Sequence, residues 1–204
     1  LKNDDHHVKV FLSASGADYY ADKGDEITTE NEGAGDSFLS KVCLAWEGGA
    51  RSIAKLGIRT AIFRIGIVLS TQGGAMPELN KTIPFGLASY LGSGKQYYPW
   101  IHIDDLCNAF IYAIENDKVE GTYNANAPQP VRNRELVETM VKAQGKHAIV
   151  APAPEFALGL ILGERKEMVL GSHNLSSEKL QQTGFKFEYA QLRPALENLF
   201  ETGK

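Results

Sequence analysis

Compact apolar runs alternate with amphipathic stretches along the chain, an order that commits it to an α/β fold with a parallel sheet. "VKVFLS" (8–13) is short, apolar and rich in β-branched residues, as a buried strand requires. After a loop rich in Gly and Asp, Asp36 can cap a helix that buries Phe38, Leu39, Val42, Cys43, Trp46 and Ile53, and Gly57 can end it. "RTAIFRI" (59–65) reads as the next buried strand, and "GIVLSTQGGAMPEL" leaves it as a loop in which Pro77 suits a helical first turn.

Further on, "WIHI" (100–103) runs into Asp104 as a helix cap. Leu106, Ala109, Phe110, Ala113 and Ile114 follow at the spacing of one helix face. "GTYNAN" (121–126) predicts a short strand, and Asn133 can cap a helix burying Leu136, Val137, Met140 and Val141. Past Pro152 and Pro154 the pattern changes to short helices, one closed by Gly184 and the last over 190–200. The expected division is therefore a sheet domain over 1–150 and a helical C-terminal segment over 151–204.

With 204 residues, 43% hydrophobic, the chain can bury a substantial core. Its net charge of −4, with scattered Lys and Arg, offers no basic face to nucleic acid or anionic lipid. No apolar run reaches the ~18 residues of a membrane span, and "LKNDDHHVKV" lacks the apolar region of a signal peptide. The expectation is a soluble, cytoplasmic protein. Cys43 and Cys107 sit among apolar residues and read as buried free thiols, and the five histidines show no metal-ligand spacing.

Taken in order, "SASGADYY", "GDSFLSKVCLAWEGGA", "FRIGIVLSTQGGAMPEL", "LGSGKQYYPWIHIDDL", "GTYNANAPQPVRN" and "GFKFEYAQLRPAL" resemble the extended short-chain dehydrogenase/reductase superfamily. Within it they resemble the atypical, nucleoside-diphosphate-sugar epimerase-like branch. The resemblance runs from about residue 8 to 200. It implies a Rossmann-like parallel sheet binding NADP(H), a smaller α/β substrate lobe, and a nucleotide-sugar or other small carbonyl or hydroxyl substrate.

Two family features are absent. No Gly-x-x-Gly-x-x-Gly turn, which would hold a pyrophosphate on backbone N–H groups, occurs among these residues. At ~30 residues per βαβ unit, the missing units amount to roughly 90 residues, so the chain is expected to be the C-terminal two thirds of such a protein. The second absence is the Tyr of the catalytic Tyr-x-x-x-Lys pair. Lys41 stands where the pair's Lys belongs, but Ser37 stands four residues before it, and a serine hydroxyl is too weak an acid to replace a phenol. The literal match Tyr19/Lys23 lies in a turn-like run and reads as coincidence.

The resemblance assigns Ser15, Tyr20 and Lys41 to the catalytic site. The alternative readings are a polar strand end for Ser15 and a solvated helix residue for Lys41. It assigns Ser13, Ala14, Arg64, Gly66, Ile67 and Val68 to the cofactor, although Ile67 and Val68 equally suit a core. Met76, Gln96, Trp100 and His102 are assigned to the substrate, with Gly73 and Gly74 at the pocket mouth; for His102 a structural role beside Asp104 is the competing reading. Glu47 reads as a solvent-facing residue or a partner of Arg51. Because Ser37 replaces the acid, three functions stay open: an NADP(H)-dependent oxidoreductase or epimerase, a degenerate cofactor- or metabolite-binding protein, and a scaffold that homodimerises through Phe38, Val42 and Trp46.

Overall fold

The computed structural model describes residues 7–153 and 170–202. Strand β1 (Val10–Gly16) is followed by a 3-10 turn (Ala17–Tyr19), the short β2 (Ile27–Thr28), helix α1 (Phe38–Ala54) and strand β3 (Arg59–Ile65). β4 (Ile67–Leu69), α2 (Ala75–Asn80), β5 (Leu87–Leu91), β6 (Tyr97–Tyr98), β7 (Trp100–His102) and α3 (Ile103–Glu115) lead to β8 (Gly121–Ala125). β9 (Val131–Arg132), α4 (Asn133–Ala143), β10 (Ile149–Ala153), β11 (Asn174–Leu175), α5 (Glu178–Gln182) and α6 (Leu192–Thr202) complete the described chain.

The central sheet is parallel, in the order β1-β3-β8. Val10 to Gly16 pair with Arg59 to Ile65, and Ala61 to Ile65 pair with Gly121 to Ala125. β3 is the middle strand, with Ala61, Ile62 and Phe63 buried at its centre. Phe63, Ala61, Ile101, Ala109, Ala113 and Tyr123 form the core between this sheet and α3. β1 is an edge, with no further strand beside it among the described residues.

A second core, around Trp100, Met76, Leu136, Met140 and Leu196, fills the smaller lobe of α2, α4, α6 and the parallel pair β5/β10. β4 pairs with β7, so the segment expected to be a loop after Ile65 is partly a strand. β11 pairs with β2, and Ser172 reinforces that closure by donating from its N–H to Asp22 and from its hydroxyl to the Gly24 carbonyl. The stretch carrying Ser172 and His173 is thereby tied across the carboxyl end of β1.

Several local expectations shift by a residue or a face. The cap of α1 is Ser37, whose Oγ accepts from the Ser40 N–H at 3.1 Å, not Asp36. His102 caps α3 by accepting from the Asp104 N–H, and Asn133 is inside α4, its Oδ1 taking the Leu91 N–H of β5. Phe38 and Trp46, expected inside, are 76% and 61% exposed, while the face α1 turns inward carries Ser40, Cys43, Glu47 and Ala50. A hydrophobic-period reading misses that face because two of its four residues are polar and bonded internally. Cys107 is exposed whereas Cys43 is buried, and both are free thiols.

Candidate active site

The carboxyl ends of β1 and β3 deliver Ser15 and Arg64 opposite each other in register. Helix α1, capped by Ser37 and tied down by Ser40 Oγ donating to the Asp18 carbonyl at 2.7 Å, brings Glu47 between them. Arg64 donates from Nε and Nη2 to the two Glu47 oxygens at 2.8 and 2.9 Å, a bidentate pair buried on both sides. Ser15 Oγ donates to Glu47 Oε1 at 3.0 Å, and Arg51, one turn along α1, donates to Oε2 at 2.6 Å.

Arg64 also reaches the turn after β1. Its Nη1 donates to the Tyr20 hydroxyl at 2.7 Å, and that hydroxyl donates to Asn124 Oδ1 of β8 at 2.7 Å. The guanidinium lies 3.4 Å from the centre of the Tyr19 ring. Asn124 is held from behind: its N–H goes to Glu30 Oε1 and its Nδ2 to the Ser176 carbonyl. The result is a continuous buried chain from Ser15 through Glu47, Arg64 and Tyr20 to Asn124.

Protonation states follow from this wiring. Burial opposes the charge of Arg64, but the paired Glu47 carboxylate overrides it and holds the guanidinium protonated. Burial pushes the Tyr20 phenol up to about 12, against the opposing pull of Arg64. Tyr20 is therefore a neutral structural hydroxyl at physiological pH. Because its folded pKa lies above the ordinary 10, the neutral form is favoured by folding. That contribution, roughly 2–3 kcal/mol, is intact below pH 10 and is lost as pH rises through 12. Tyrosinate absorbance should show a late step near pH 12 that is missing in Tyr20→Phe, with Tyr98, which burial raises further, ionising later still.

Beside this network lies a cleft of 480 Å³ walled by Asp18, Tyr20, Asp36, Ser37, Ser40 and His173, among others. A smaller cavity of 100 Å³ sits against Gly66, Ile67 and Pro99, and Asp18, Gly171 and His173 line it too. Ligands of open α/β sheets bind at this carboxyl edge.

The structure gathers the candidates unevenly. Ser15, Tyr20 and Arg64 join one network, with Glu47 buried at its centre rather than facing solvent; its bond to Arg51 is present as well. Lys41 is exposed on α1, and Lys23 pairs with Glu32 at 2.6 Å, away from Tyr19. Ser13 and Ala14 lie on the edge strand, Ala14 exposed. Gly66 and Ile67 border the small cavity while Val68 packs against the core. Met76, Trp100 and His102 are inside, Trp100 donating its indole N–H to the Gln129 carbonyl and His102 stacked 3.9 Å from Tyr189. Gln96 is buried and donates to the Leu91 carbonyl. Glu47, Asn124, Asp18 and His173 were not foreseen as members. The usable signal was Asn124, a polar residue at a buried strand position that needs a partner.

Sheet, crossover helices and polar strand ends together define a Rossmann-type α/β protein of the extended short-chain dehydrogenase/reductase class. Residues 4–125 match the NAD dependent epimerase/dehydratase family, and residues 153–199 match a domain of unknown function, DUF1731. The chain belongs to the NAD dependent epimerase/dehydratase family. An epimerase family protein of Staphylococcus aureus (strain bovine RF122 / ET3-1) is 37% identical over 94% of this chain and 64% of its own length. The chloroplastic epimerase family protein SDR39U1 homolog of Arabidopsis thaliana is 33% identical over 94% of this chain and 55% of its own. The crystal structure of human epimerase family protein SDR39U1 with NADPH superposes with a TM-score of 0.87 at 31% identity, over 95% of this chain and 65% of that one. The chain thus spans 55% to 65% of these relatives' length.

Proposed function

We propose that the protein acts as an NADP(H)-binding, epimerase- or reductase-like oxidoreductase on a nucleotide sugar or another small carbonyl or hydroxyl substrate. The observation that carries this reading is the joined cleft and cavity at the carboxyl ends of β1 and β3, in a chain similar to a protein crystallised with NADPH. Gly66 borders the small cavity, and its lack of a Cβ lets the Pro99 backbone close against it on the same wall. Ser13, Ala14, Gly66 and Ile67 would hold the nicotinamide end. The phosphate end has no Gly-rich turn among these residues and would depend on the part of the relatives that this chain does not match. The nicotinamide supplies the hydride acceptor or donor; the chain's residues position the substrate and handle its proton.

A second reading, a cofactor or metabolite sensor without turnover, is favoured by one observation. Ser37 is occupied as the helix cap, and Lys41 beside it is exposed. NADPH titration by calorimetry, on this chain and on the full-length protein, is the test. Binding with low-micromolar affinity by the full-length protein, and at least 10-fold weaker binding by this chain, is expected. Binding by neither would end both readings.

A further inference from the structure

We propose that His173 exchanges a proton with one oxygen of the substrate while Asp18 stabilises its charged form, filling the role that Ser37 and Lys41 leave open. The inference rests on the oxidoreductase reading and adds its proton-handling group.

Both side chains line the cleft and the small cavity, so they stand where the two spaces meet. Their backbones are fixed by independent bonds: the Asp18 carbonyl accepts from Ser40 Oγ, and the His173 N–H donates to the Tyr97 carbonyl at 3.0 Å. His173 Nε2 lies 3.9 Å from Asp18 Oδ1. That is too long for a direct hydrogen bond, and it leaves room for a substrate oxygen about 2.8 Å from Nε2 while keeping the carboxylate close enough to stabilise an imidazolium. His173 Nδ1 is buried with no hydrogen-bond partner among the described residues, leaving Nε2 as the working nitrogen.

The neighbouring acids and bases are committed elsewhere. Tyr20 is bonded to Arg64 and Asn124, and Ser15 to Glu47. Burial pushes His173 below its ordinary value while Asp18 and Asp22 oppose the shift; burial pushes Asp18 up, with His173 opposing. Asp36 and Tyr20 face the pair from the cleft, and Tyr97 and Tyr98 from the small cavity. The imidazole is therefore neutral at neutral pH and ready to accept a proton.

In alcohol oxidation the carbon loses a hydride to the nicotinamide, the oxygen loses its proton to Nε2, and the carbonyl forms. The Asp18 carboxylate stabilises the resulting imidazolium. In the reverse direction the hydride adds to the carbonyl carbon, the π electron pair moves to oxygen, and the imidazolium returns the proton. Water then reprotonates the imidazole.

The experiment uses the full-length protein with NADPH and 4-nitrobenzaldehyde as the probe carbonyl, with NMR of the histidine Cε1–H groups alongside. Expected are a His173 midpoint below 6.5 that falls further in Asp18→Asn, and a kcat that declines as pH rises through that midpoint. In His173→Gln, kcat drops by roughly 10²-fold or more and the pH limb vanishes, while NADPH still binds. A wild-type kcat in His173→Gln, a His173 resonance indifferent to Asp18→Asn, or no turnover of the probe by any form overturns the pair. Absence of NADPH binding instead overturns the oxidoreductase reading beneath it.

Discussion

Glu47→Ala should lower the stability of the folded chain by about 3–5 kcal/mol, read as the midpoint of a urea unfolding curve. The side chain is 0% exposed and takes four hydrogen bonds, two from Arg64, one from Arg51 and one from Ser15. Its removal strands a guanidinium that is itself only 2% exposed, and an uncompensated buried charge is among the costliest defects a core can carry. A domain of this size is stable by only ~5–15 kcal/mol, so the variant would sit near the edge of folding. Arg51→Ala provides the contrast. Arg51 is 44% exposed, and losing its bond to Glu47 should cost no more than about 1 kcal/mol. Replacing Glu47 and Arg64 together by Leu and Met should recover much of the loss, because no charge is then left unpaired. An unfolding midpoint for Glu47→Ala equal to that of the parent would show that the pair is solvated and the buried network is not what holds β1, α1 and β3 together.

The same residues show what the sequence discloses and what it hides. β3 was legible as "RTAIFRI" because its apolar centre, Ala61 to Phe63, is buried, and α3 because Leu106, Ala109, Phe110 and Ala113 share one face, although that face also carries the buried Asp105 and Ile114 turns out to solvent. α1 was legible as a helix but not in its orientation. Its most apolar stripe, Phe38 and Trp46, is outside, and its inner face is set by Glu47, a residue that pattern reading places in water. What fixes that face is long-range: Arg64 is 17 residues from Glu47 and 44 from Tyr20 in sequence. No local period encodes such a bond. Ser15 and Tyr20 were found through family resemblance, yet the structure gives them bonds the motif does not mention. The pairing of Asp18 with His173 was not read from the sequence, because an acid in the 3-10 turn after β1 and a distant histidine come near each other only where the stretch before β11 closes on β2. Ser37, read in the sequence as standing where the catalytic acid belongs, also caps α1, a role that its short hydroxyl suits and a tyrosine would not.

Gly66→Ala tests the other side of the site. Gly66 stands where β3 passes to β4, its N–H donating to the Ala125 carbonyl at 3.1 Å while the next residue, Ile67, donates to the Pro99 carbonyl at 2.6 Å. A Cβ at Gly66 would meet the Pro99 oxygen at 2.4 Å and the Pro99 carbon at 2.8 Å. These are backbone atoms, so no rotamer change relieves the clash, and the 99–100 segment must move as a unit. Trp100 follows Pro99 directly and is wholly buried, so the displacement is resisted by the smaller lobe's core. The expected cost is about 1–3 kcal/mol or more in unfolding free energy. On the proposed NADP(H)-binding reading it should be joined by a fall of at least 10-fold in NADPH affinity, since Gly66 and Pro99 both wall the small cavity. Gly73→Ala is the matched control: nothing lies within 4 Å of its added Cβ, and a change within about 0.5 kcal/mol is expected. If Gly66→Ala loses stability but keeps its affinity, the small cavity is a structural seam between lobes and the cofactor lies on the open face of β1. If it keeps stability but loses affinity, Pro99 yields easily and the close approach of backbone at Gly66 serves the ligand rather than the fold.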